Sequence, residues 1–337
     1  MASLVSSWSS SLQTLPANYV VPVDQRPGKL APISMDIPVI DLGDADRGAV
    51  VQKIIKASQE FGLFQVINHG VPEKLMIDAK SVGQEFFSIA AEGKEMLIAD
   101  DTQHGWELYT SSGKYSTQDF AFWKDTLQHP CHPLESCVKS WPDKPARYRE
   151  VIGPYTVEVR ELGKRVLELI YEGLGFTEKN FDSYDLVLMI HNYPACPDPG
   201  SALGSGGHYD GNIITLLQQD VYGLQLFKDG QWHGVEPLPN AFVINISFAL
   251  EVISNGKLKS ALHRVVTNSD CSRTSFASFI NVLFNRIIEP AKSVVSPSNP
   301  PVFRGFLFEE FMEVLISKNS DMDATFDYFK IKGQAAE

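Results

Sequence analysis

The 337-residue chain is 44% hydrophobic and 21% charged, a composition typical of a globular protein and too apolar for a disordered one. Its net charge of -12 and pI of about 5.2 argue against nucleic acids or anionic membranes as partners, because both require a basic surface. The length fits either two average domains or one large β core, so the order of elements has to decide the domain count.

The cysteines and the N-terminus indicate the compartment. Cys131, Cys137, Cys196 and Cys271 have neither the paired spacing of a zinc site nor the density of a disulfide scaffold. Residues 1–22 lack the basic and apolar regions of a secretion signal. No apolar run reaches the roughly 20 residues of a membrane helix. We therefore expect a cytoplasmic protein without a membrane partner, and we expect a monomer.

Residues 1–185 are predicted to form a mainly helical region with edge strands. Alternating residues in Ile37–Leu42 and Leu63–Asn68 indicate short strands. Apolar residues at helical spacing predict helices between these strands, over 75–97 and over 148–174. The intervening stretch 98–143 is polar with weak periodicity, and connections of this length are typical of substrate lids.

The rest of the chain has a different pattern. Residues 186–290 contain short runs rich in Ile, Val, Leu and Phe, separated by Gly, Asn, Asp and Pro, which predict a sandwich or barrel of antiparallel strands. Residues 291–337 are predicted to contain a C-terminal helix, Phe308–Ser317, and a tail whose segment Phe326–Ile331 is a second candidate lid. Together the patterns predict an α+β fold with one β core flanked by helices.

A histidine and a carboxylate in the strand-rich region have the spacing of metal ligands. His208 and Asp210 are two residues apart, and such residues project to the same face of an extended chain. His263 begins another strand-like run farther along the chain. Two histidines and one carboxylate leave open positions on a non-haem iron(II), although a His-x-Asp pair alone is a weak signal.

A second pair of polar residues strengthens the interpretation. Arg273 and Ser275 are also two apart, in a strand-like run whose surroundings are apolar. An unpaired buried guanidinium costs several kcal/mol, about 3 or more, so Arg273 requires an anionic partner. A carboxylate-bearing co-substrate fits the two-pronged geometry of arginine.

The chain resembles the plant 2-oxoglutarate/iron(II) dioxygenases, and among them hyoscyamine 6-hydroxylase-like enzymes. The resemblance extends over nearly the whole sequence. It includes the segments 37–42, 61–72, 122–127, 192–197, 204–219 and 263–266.

The resemblance implies a double-stranded β-helix, which is a jelly roll, with helices packed outside. It also implies that His208, Asp210 and His263 bind iron(II), and that Arg273, Ser275 and Tyr193 bind the distal carboxylate of 2-oxoglutarate. O2 would be the other co-substrate and ascorbate a supporting reductant. The expected reaction is hydroxylation, desaturation or ring formation on a small plant metabolite such as an alkaloid, terpenoid or phenolic, with release of succinate and CO2.

Three positions depart from the family pattern. His191 stands where relatives usually carry Asn, so a co-substrate contact there is in doubt. Ser247-Phe248 replaces a Gly-Asp pair and alters the floor of the pocket. Thr110 to Ser112 lacks the acidic residue that tropane hydroxylases carry nearby, so we expect a neutral or weakly basic substrate unless Glu107, Asp119 or Asp125 supplies a carboxylate.

Substrate-pocket candidates come from the aromatic-rich segments. Residues 123–125 fit either the pocket or an anchor for the long loop, and core phenylalanines are indistinguishable from pocket walls in sequence. Two other functions remain open, a metal-dependent hydrolase and a metabolite-binding or sensing jelly-roll protein without turnover. The candidates are Tyr109, Phe122, Trp123, Lys124, Phe248, Phe279 and Phe329.

Overall fold

The architecture comes from a computed structural model, which describes residues 4–28, 33, 37–92, 105–113, 119–177, 184–318 and 321–331. It has an eight-stranded sheet, a four-stranded sheet and a short hairpin, with helices outside. The strands are β1 Val39–Asp41, β2 Leu63–Ile67, β3 Glu107–Thr110, β4 Asp125–Pro130, β5 Tyr184–Tyr193, β6 Leu203–His208, β7 Ile214–Gln218, β8 Leu224–Lys228, β9 Gln231–Gly234, β10 Phe242–Ile246, β11 His263–Val266, β12 Arg273–Val282, β13 Ile287–Ile288 and β14 Phe306–Leu307. The helices are α1 Arg47–Glu60, α2 Glu73–Glu92, α3 Leu134–Cys137, α4 Tyr148–Leu174, α5 Phe248–Ile253, α6 Phe308–Ser317 and α7 Met322–Phe329.

Local sequence explains where the principal helices begin and end. The Asp46 side chain accepts a hydrogen bond of 3.0 Å from the Ala49 amide and so caps the N-terminus of α1. Gly62 follows this helix with a φ of +67°, where a Cβ would lie 2.6 Å from the Lys259 carbonyl oxygen. Helix α4 ends at Leu174 and is followed by Gly175, which adopts the left-handed conformation that favours glycine.

The two larger sheets face each other across an apolar interior. The major sheet has the order β1-β2-β10-β7-β12-β5-β4-β3, and the minor sheet has the order β6-β11-β8-β9. Leu217 and Ala277 of the major sheet pack in one cluster with Leu224 and Leu226 of the minor sheet. The predicted α+β jelly-roll core is therefore confirmed, since side chains from both inner faces fill the space between the sheets.

Helices α2 and α4 cover the outer face of the major sheet. Gly83 of α2 and Gly163 of α4 allow this close approach, because a Cβ would lie 2.7 Å from Phe276 and 3.1 Å from Ile280 of β12. The helices thus back the strands that carry polar residues on the inner face. Packing at this density keeps those strands rigid.

The N-terminal part of the chain contributes more to the β core than its pattern predicted. Strands β1 and β2 extend one side of the major sheet, and β3 and β4 extend the other. The stretch 98–143 was interpreted as an irregular connection, yet its described part contains β3, β4 and α3. β4 forms because it pairs with β5, and the weak local periodicity of the sequence did not reveal this strand. Residues 98–104 and 114–118 of the predicted lid lie outside the described residues.

The C-terminal region packs a cluster of aromatic rings beside the core. It contains two helices, α6 and α7, where the sequence predicted one and a tail. The ring of Phe248 stacks on Phe326 with centroids 3.9 Å apart, and Phe306 lies 4.0 Å from Phe329. The second candidate lid therefore begins inside this buried cluster. Across the described ranges, no helix combines the length and apolarity needed to cross a membrane.

Candidate active site

His208, Asp210 and His263 converge at one end of the space between the sheets. His208 ends β6 and His263 begins β11, and the two are paired across these antiparallel strands. The Nε2 atoms of both histidines lie 3.8 Å from Oδ1 of Asp210. One ligand atom from each residue lies within 4.8 Å of the others, so a single ion can contact all three.

Backbone carbonyls orient both imidazole rings. Nδ1 of His208 lies 2.9 Å from the Gly206 carbonyl oxygen, and Nδ1 of His263 lies 2.9 Å from the Ala261 carbonyl oxygen. Each Nδ1–H therefore donates to the backbone, and each Nε2 lone pair faces the shared space. Burial, together with the neighbouring His263, lowers the pKa of His208 to about 4, so the ring is neutral and ready to bind a metal.

Asp210 is held by two polar side chains within otherwise apolar strands. Its Oδ2 accepts hydrogen bonds from Thr215 Oγ1 at 2.7 Å and from Asn245 Nδ2 at 3.2 Å, which leaves Oδ1 facing the histidines. Burial raises the pKa of Asp210, but the histidines and these hydrogen bonds outweigh it and lower the pKa below its ordinary value. Sequence reasoning missed Thr215 and Asn245, although both interrupt runs of Ile, Leu and Val.

Arg273 lies in the same cavity with part of its hydrogen-bonding capacity unused. The residue is 1% exposed. Its Nε donates to the Val221 carbonyl oxygen at 2.9 Å, and Nη2 donates to Gln219 Oε1 at 2.9 Å. Nη1 is buried and has no partner among the described residues. Gly223 makes room for the side chain, since a Cβ there would lie 2.8 Å from Arg273 Cδ.

The charge of Arg273 is not neutralised by the described part of the protein. In the described ranges no carboxylate lies within ion-pair distance, and Asp220 is paired with Lys80. Tyr193 is the cross-strand partner of Arg273, and its ring centroid lies 5.0 Å from the guanidinium carbon. Ser275 is buried two residues farther along β12. Buried arginines require an acceptor, so this end of the cavity suits a carboxylate supplied by a ligand.

His191 occupies the middle of the cavity wall. It is the cross-strand partner of Ser275, and its Nδ1 lies 2.9 Å from Thr126 Oγ1 of β4. Burial, with Lys124, Arg273 and His208 nearby, lowers the pKa of His191 well below its ordinary value, so the ring is neutral. The cavity is lined by Lys124, His191, Tyr193, Ser205, His208, Asp210, Thr215, Leu217, Leu224, Asn245, His263, Val265, Arg273, Ser275, Ala277 and Phe279.

Of the predicted substrate-pocket residues, Lys124 and Phe279 line this cavity. Phe122 does not line it and packs against Gly206 of β6, where a Cβ would meet the Phe122 ring at 3.0 Å. Tyr109 lies on β3 and hydrogen-bonds Gln128 at 3.2 Å. The sequence pattern did not reveal which residues of these aromatic-rich segments face the cavity.

Other pocket candidates lie in the core. Trp123 packs edge-on against Trp8 and Tyr19, and its indole donates to the Pro194 carbonyl oxygen at 3.0 Å. Phe248 and Phe329 belong to the C-terminal aromatic cluster and do not line the cavity. Large apolar rings gain more from complete burial than from a polar wall, which explains their positions.

The acids considered as partners for a cationic substrate also lie elsewhere. Asp125 accepts hydrogen bonds from the amides of Val5 and Ser6 at 2.7 and 2.8 Å, so its carboxylate anchors the N-terminal segment. Asp119 is exposed, and neither it nor Glu107 lines the cavity. The cavity therefore presents one described acid, Asp210, which faces the two histidines.

Comparison with known proteins identifies the family. The 2OG-Fe(II) oxygenase superfamily matches residues 184–282, and the N-terminal family of non-haem dioxygenases in morphine synthesis matches residues 37–148. Hyoscyamine 6-dioxygenase of Hyoscyamus niger is 44% identical over 98% of this chain and 99% of its own. The chain belongs to the 2OG-Fe(II) oxygenase superfamily. The resemblance seen in the sequence is thus confirmed.

Two further relatives support the assignment of this oxygenase to the superfamily. Flavanone 3-dioxygenase 2 of Oryza sativa subsp. japonica is 38% identical over 94% of both chains. Among solved structures, the chain is similar to the one described as the crystal structure of JOX2 in complex with 2OG, Fe and JA. The two sequences are 30% identical, the TM-score is 0.84, and the match covers 95% of both chains. The oxygenase is a dioxygenase that uses iron, 2-oxoglutarate and O2.

Proposed function

We propose that His208, Asp210 and His263 hold the iron(II), and that Arg273, Ser275 and Tyr193 hold the distal carboxylate of 2-oxoglutarate. The observation that carries this proposal is the buried Nη1 of Arg273, which has no partner among the described residues and lies in the same cavity as the three clustered ligands. A dicarboxylate spans these features because one end can reach the metal while the other pairs with the guanidinium.

Each residue has a definite task in this proposal. The backbone carbonyls hold the imidazole rings, and Thr215 and Asn245 aim one oxygen of Asp210 at the metal. Arg273 and the neighbouring hydroxyls of Tyr193 and Ser275 fix the co-substrate. When bound, iron and 2-oxoglutarate supply oxidation of a C–H bond by O2, with release of succinate and CO2, and ascorbate supports the ferrous state.

The substrate class follows from the relatives. Their names describe dioxygenases of hyoscyamine and of flavanones, which are plant specialised metabolites. We propose that this oxygenase oxidises a small plant metabolite of the alkaloid, terpenoid or phenolic type. The outcome would be hydroxylation, desaturation or ring formation, depending on which hydrogens the bound substrate presents.

We also propose a monomeric, cytoplasmic enzyme that acts without a nucleic-acid or membrane partner. All four cysteines are free, and three of them are buried, which suits a reducing compartment. The domain division that we propose is the one predicted from the sequence patterns. Residues 1–185 would form the mainly helical N-terminal region, 186–290 the oxygenase core and 291–337 the C-terminal helices, with 98–143 and 326–331 acting as lids.

The test is succinate release from 2-oxoglutarate with iron(II), ascorbate and candidate metabolites, in air and under anaerobic conditions. We expect succinate only with oxygen, together with substrate mass shifts of about +16 or about -2 units. Undiminished succinate release by the double variant His208→Ala, His263→Ala would overturn the proposal. Product formed without oxygen or 2-oxoglutarate would instead indicate a metal-dependent hydrolase, and tight substrate binding without succinate would indicate a sensor.

A further inference from the structure

A second cation, Lys124, faces the cavity that the proposed function assigns to iron and 2-oxoglutarate. It lines the cavity together with His191, His208 and Arg273. Its backbone is fixed, because the Lys124 carbonyl oxygen accepts hydrogen bonds from the Ser111 amide at 2.9 Å and from Thr110 Oγ1 at 3.1 Å. The residue immediately precedes β4, so its side chain has a defined direction.

Strand geometry separates Lys124 from the acid beside it. Residues one apart on an extended chain point to opposite faces, and residues two apart share a face. Thr126 contacts His191 on the cavity side, whereas the Asp125 carboxylate accepts two amides of the N-terminal segment. Lys124 is therefore on the side of Thr126, and Asp125 is engaged elsewhere.

Lys124 has no carboxylate partner in the described part of the chain. No described acid lies within 4.0 Å of its Nζ, while ten other described lysines and arginines, at positions 47, 53, 74, 80, 147, 160, 164, 228, 304 and 330, have such partners. Burial lowers the pKa of Lys124 to about 8, and no neighbouring acid raises it. An ammonium in this position is costly unless a ligand supplies the opposite charge.

The charge balance of the loaded cavity leaves Lys124 in excess. A ferrous ion and a 2-oxoglutarate dianion carry equal and opposite charges. Asp210 is the one described acid lining the cavity, and its negative charge balances Arg273. The histidines are neutral when they bind a metal. A single positive charge, that of Lys124, is then left without a counterpart among the described residues.

We infer that Lys124 recognises a carboxylate on the substrate, so that this oxygenase acts on an organic acid. The inference rests on the proposed function and narrows its substrate class. It revises the expectation of a neutral or weakly basic substrate, since the cavity has a surplus of positive charge. The Lys124–carboxylate pair would also hold the substrate at a fixed place relative to the iron ligands.

The experiment measures binding under anaerobic conditions, so that turnover does not interfere. The full chain, loaded with iron(II) and 2-oxoglutarate, is titrated calorimetrically with benzoate, cinnamate and 1-naphthoate, and with the primary amide of each. We expect at least one acid to bind about 10-fold more tightly than its amide, because a charged hydrogen bond contributes on the order of 1.5 kcal/mol or more.

Variants assign the preference to one side chain. Lys124→Met should abolish the preference for the acid and Lys124→Arg should retain it. The control Lys53→Met changes an exposed lysine paired with Asp44 and should retain the preference as well. Thermal unfolding of Lys124→Met checks the fold, and we expect no loss of stability because the ammonium lacks a described partner.

Three results would overturn the inference. The first is the absence of an acid preference in every pair, and the second is a preference that survives in Lys124→Met. The third is weaker binding of 2-oxoglutarate, rather than of the acid, in that variant, which would assign Lys124 to the co-substrate. Titration of the wild type with 2-oxoglutarate alone separates the two proposals, since failure of that binding counts against the proposed function itself.

Discussion

The two ends of the cavity differ in how far the protein satisfies its own polar atoms. At the metal end, both Nδ1 atoms and Oδ2 of Asp210 are bound to the protein, and only the ligand-bearing atoms face inward. At the cationic end, Nη1 of Arg273 has no described partner, and Lys124 lines the cavity without a described carboxylate within ion-pair distance. The metal end is thus preorganised by the fold, whereas the cationic end is completed only by ligands.

Loss of a ligand at the metal end should have the largest effect. We expect His263→Ala to reduce substrate-dependent succinate formation by at least about 1000-fold, because the ion loses one of three protein ligands. Anaerobic iron titration should show weakened binding in parallel. The control is His233→Ala, which changes a histidine of β9 that does not line the cavity. Normal turnover by His263→Ala would show that the triad is not the metal site.

A change at the cationic end should separate function from stability. We expect Arg273→Met to raise the KM for 2-oxoglutarate about 100-fold, since a charged and buried contact is lost. The free energy of unfolding without co-substrate should stay unchanged or rise by about 1 kcal/mol, because the variant removes a buried charge that has no counter-ion among the described residues.

Steady-state kinetics and denaturant unfolding measure the two effects of Arg273→Met. The control Arg147→Met removes an exposed arginine paired with Glu85. Marked destabilisation of Arg273→Met with an unaltered KM would mean that the guanidinium is structural.

Loss of a hydrogen bond that orients a metal ligand should have a smaller effect than loss of the ligand itself. Thr215→Val keeps the shape of the side chain but removes the donor to Asp210 Oδ2. We expect iron affinity to fall about 10-fold, within the usual range for groups that orient ligands. The matched control is Thr274→Val on β12, whose buried hydroxyl has no described partner. Equal iron affinities in these two variants would contradict the orienting role of Thr215.

The smallest effect is expected at His191, which lies between the two ends. His191→Asn introduces the residue that the family resemblance led us to expect here, and it replaces the imidazole that contacts Thr126 Oγ1 with a smaller side chain. We expect the KM for 2-oxoglutarate to change by less than about fivefold, because Arg273 and the metal still hold both ends of the co-substrate. A change as large as that of Arg273→Met would show that His191 itself binds the co-substrate.

The sequence by itself determined the α+β class, the strand-rich core and the pairing of His208 with Asp210, and it supplied His263 as a third metal-ligand candidate. The class and the pair follow from short-range patterns, since the spacing of two residues puts His208 and Asp210 on one side of an extended chain, whereas the pairing of β6 with β11 brings His263 to them. The same spacing, read with the family resemblance, identified Arg273 and Ser275, which the structure brings into the same cavity. Element types and local pairs are thus recoverable without coordinates.

Only the tertiary structure decided which residues face the cavity. Trp123, Lys124 and Asp125 are neighbours, yet they end in an aromatic cluster, the cavity and a contact with the N-terminal segment, respectively. In an extended chain, the side chains of successive residues point to opposite faces. The pairing of β4 with β5 decides which of these faces is turned toward the cavity. Thr215 and Asn245 were missed for the same reason, since their polar role arises only where β7, β10 and the chain after β6 meet.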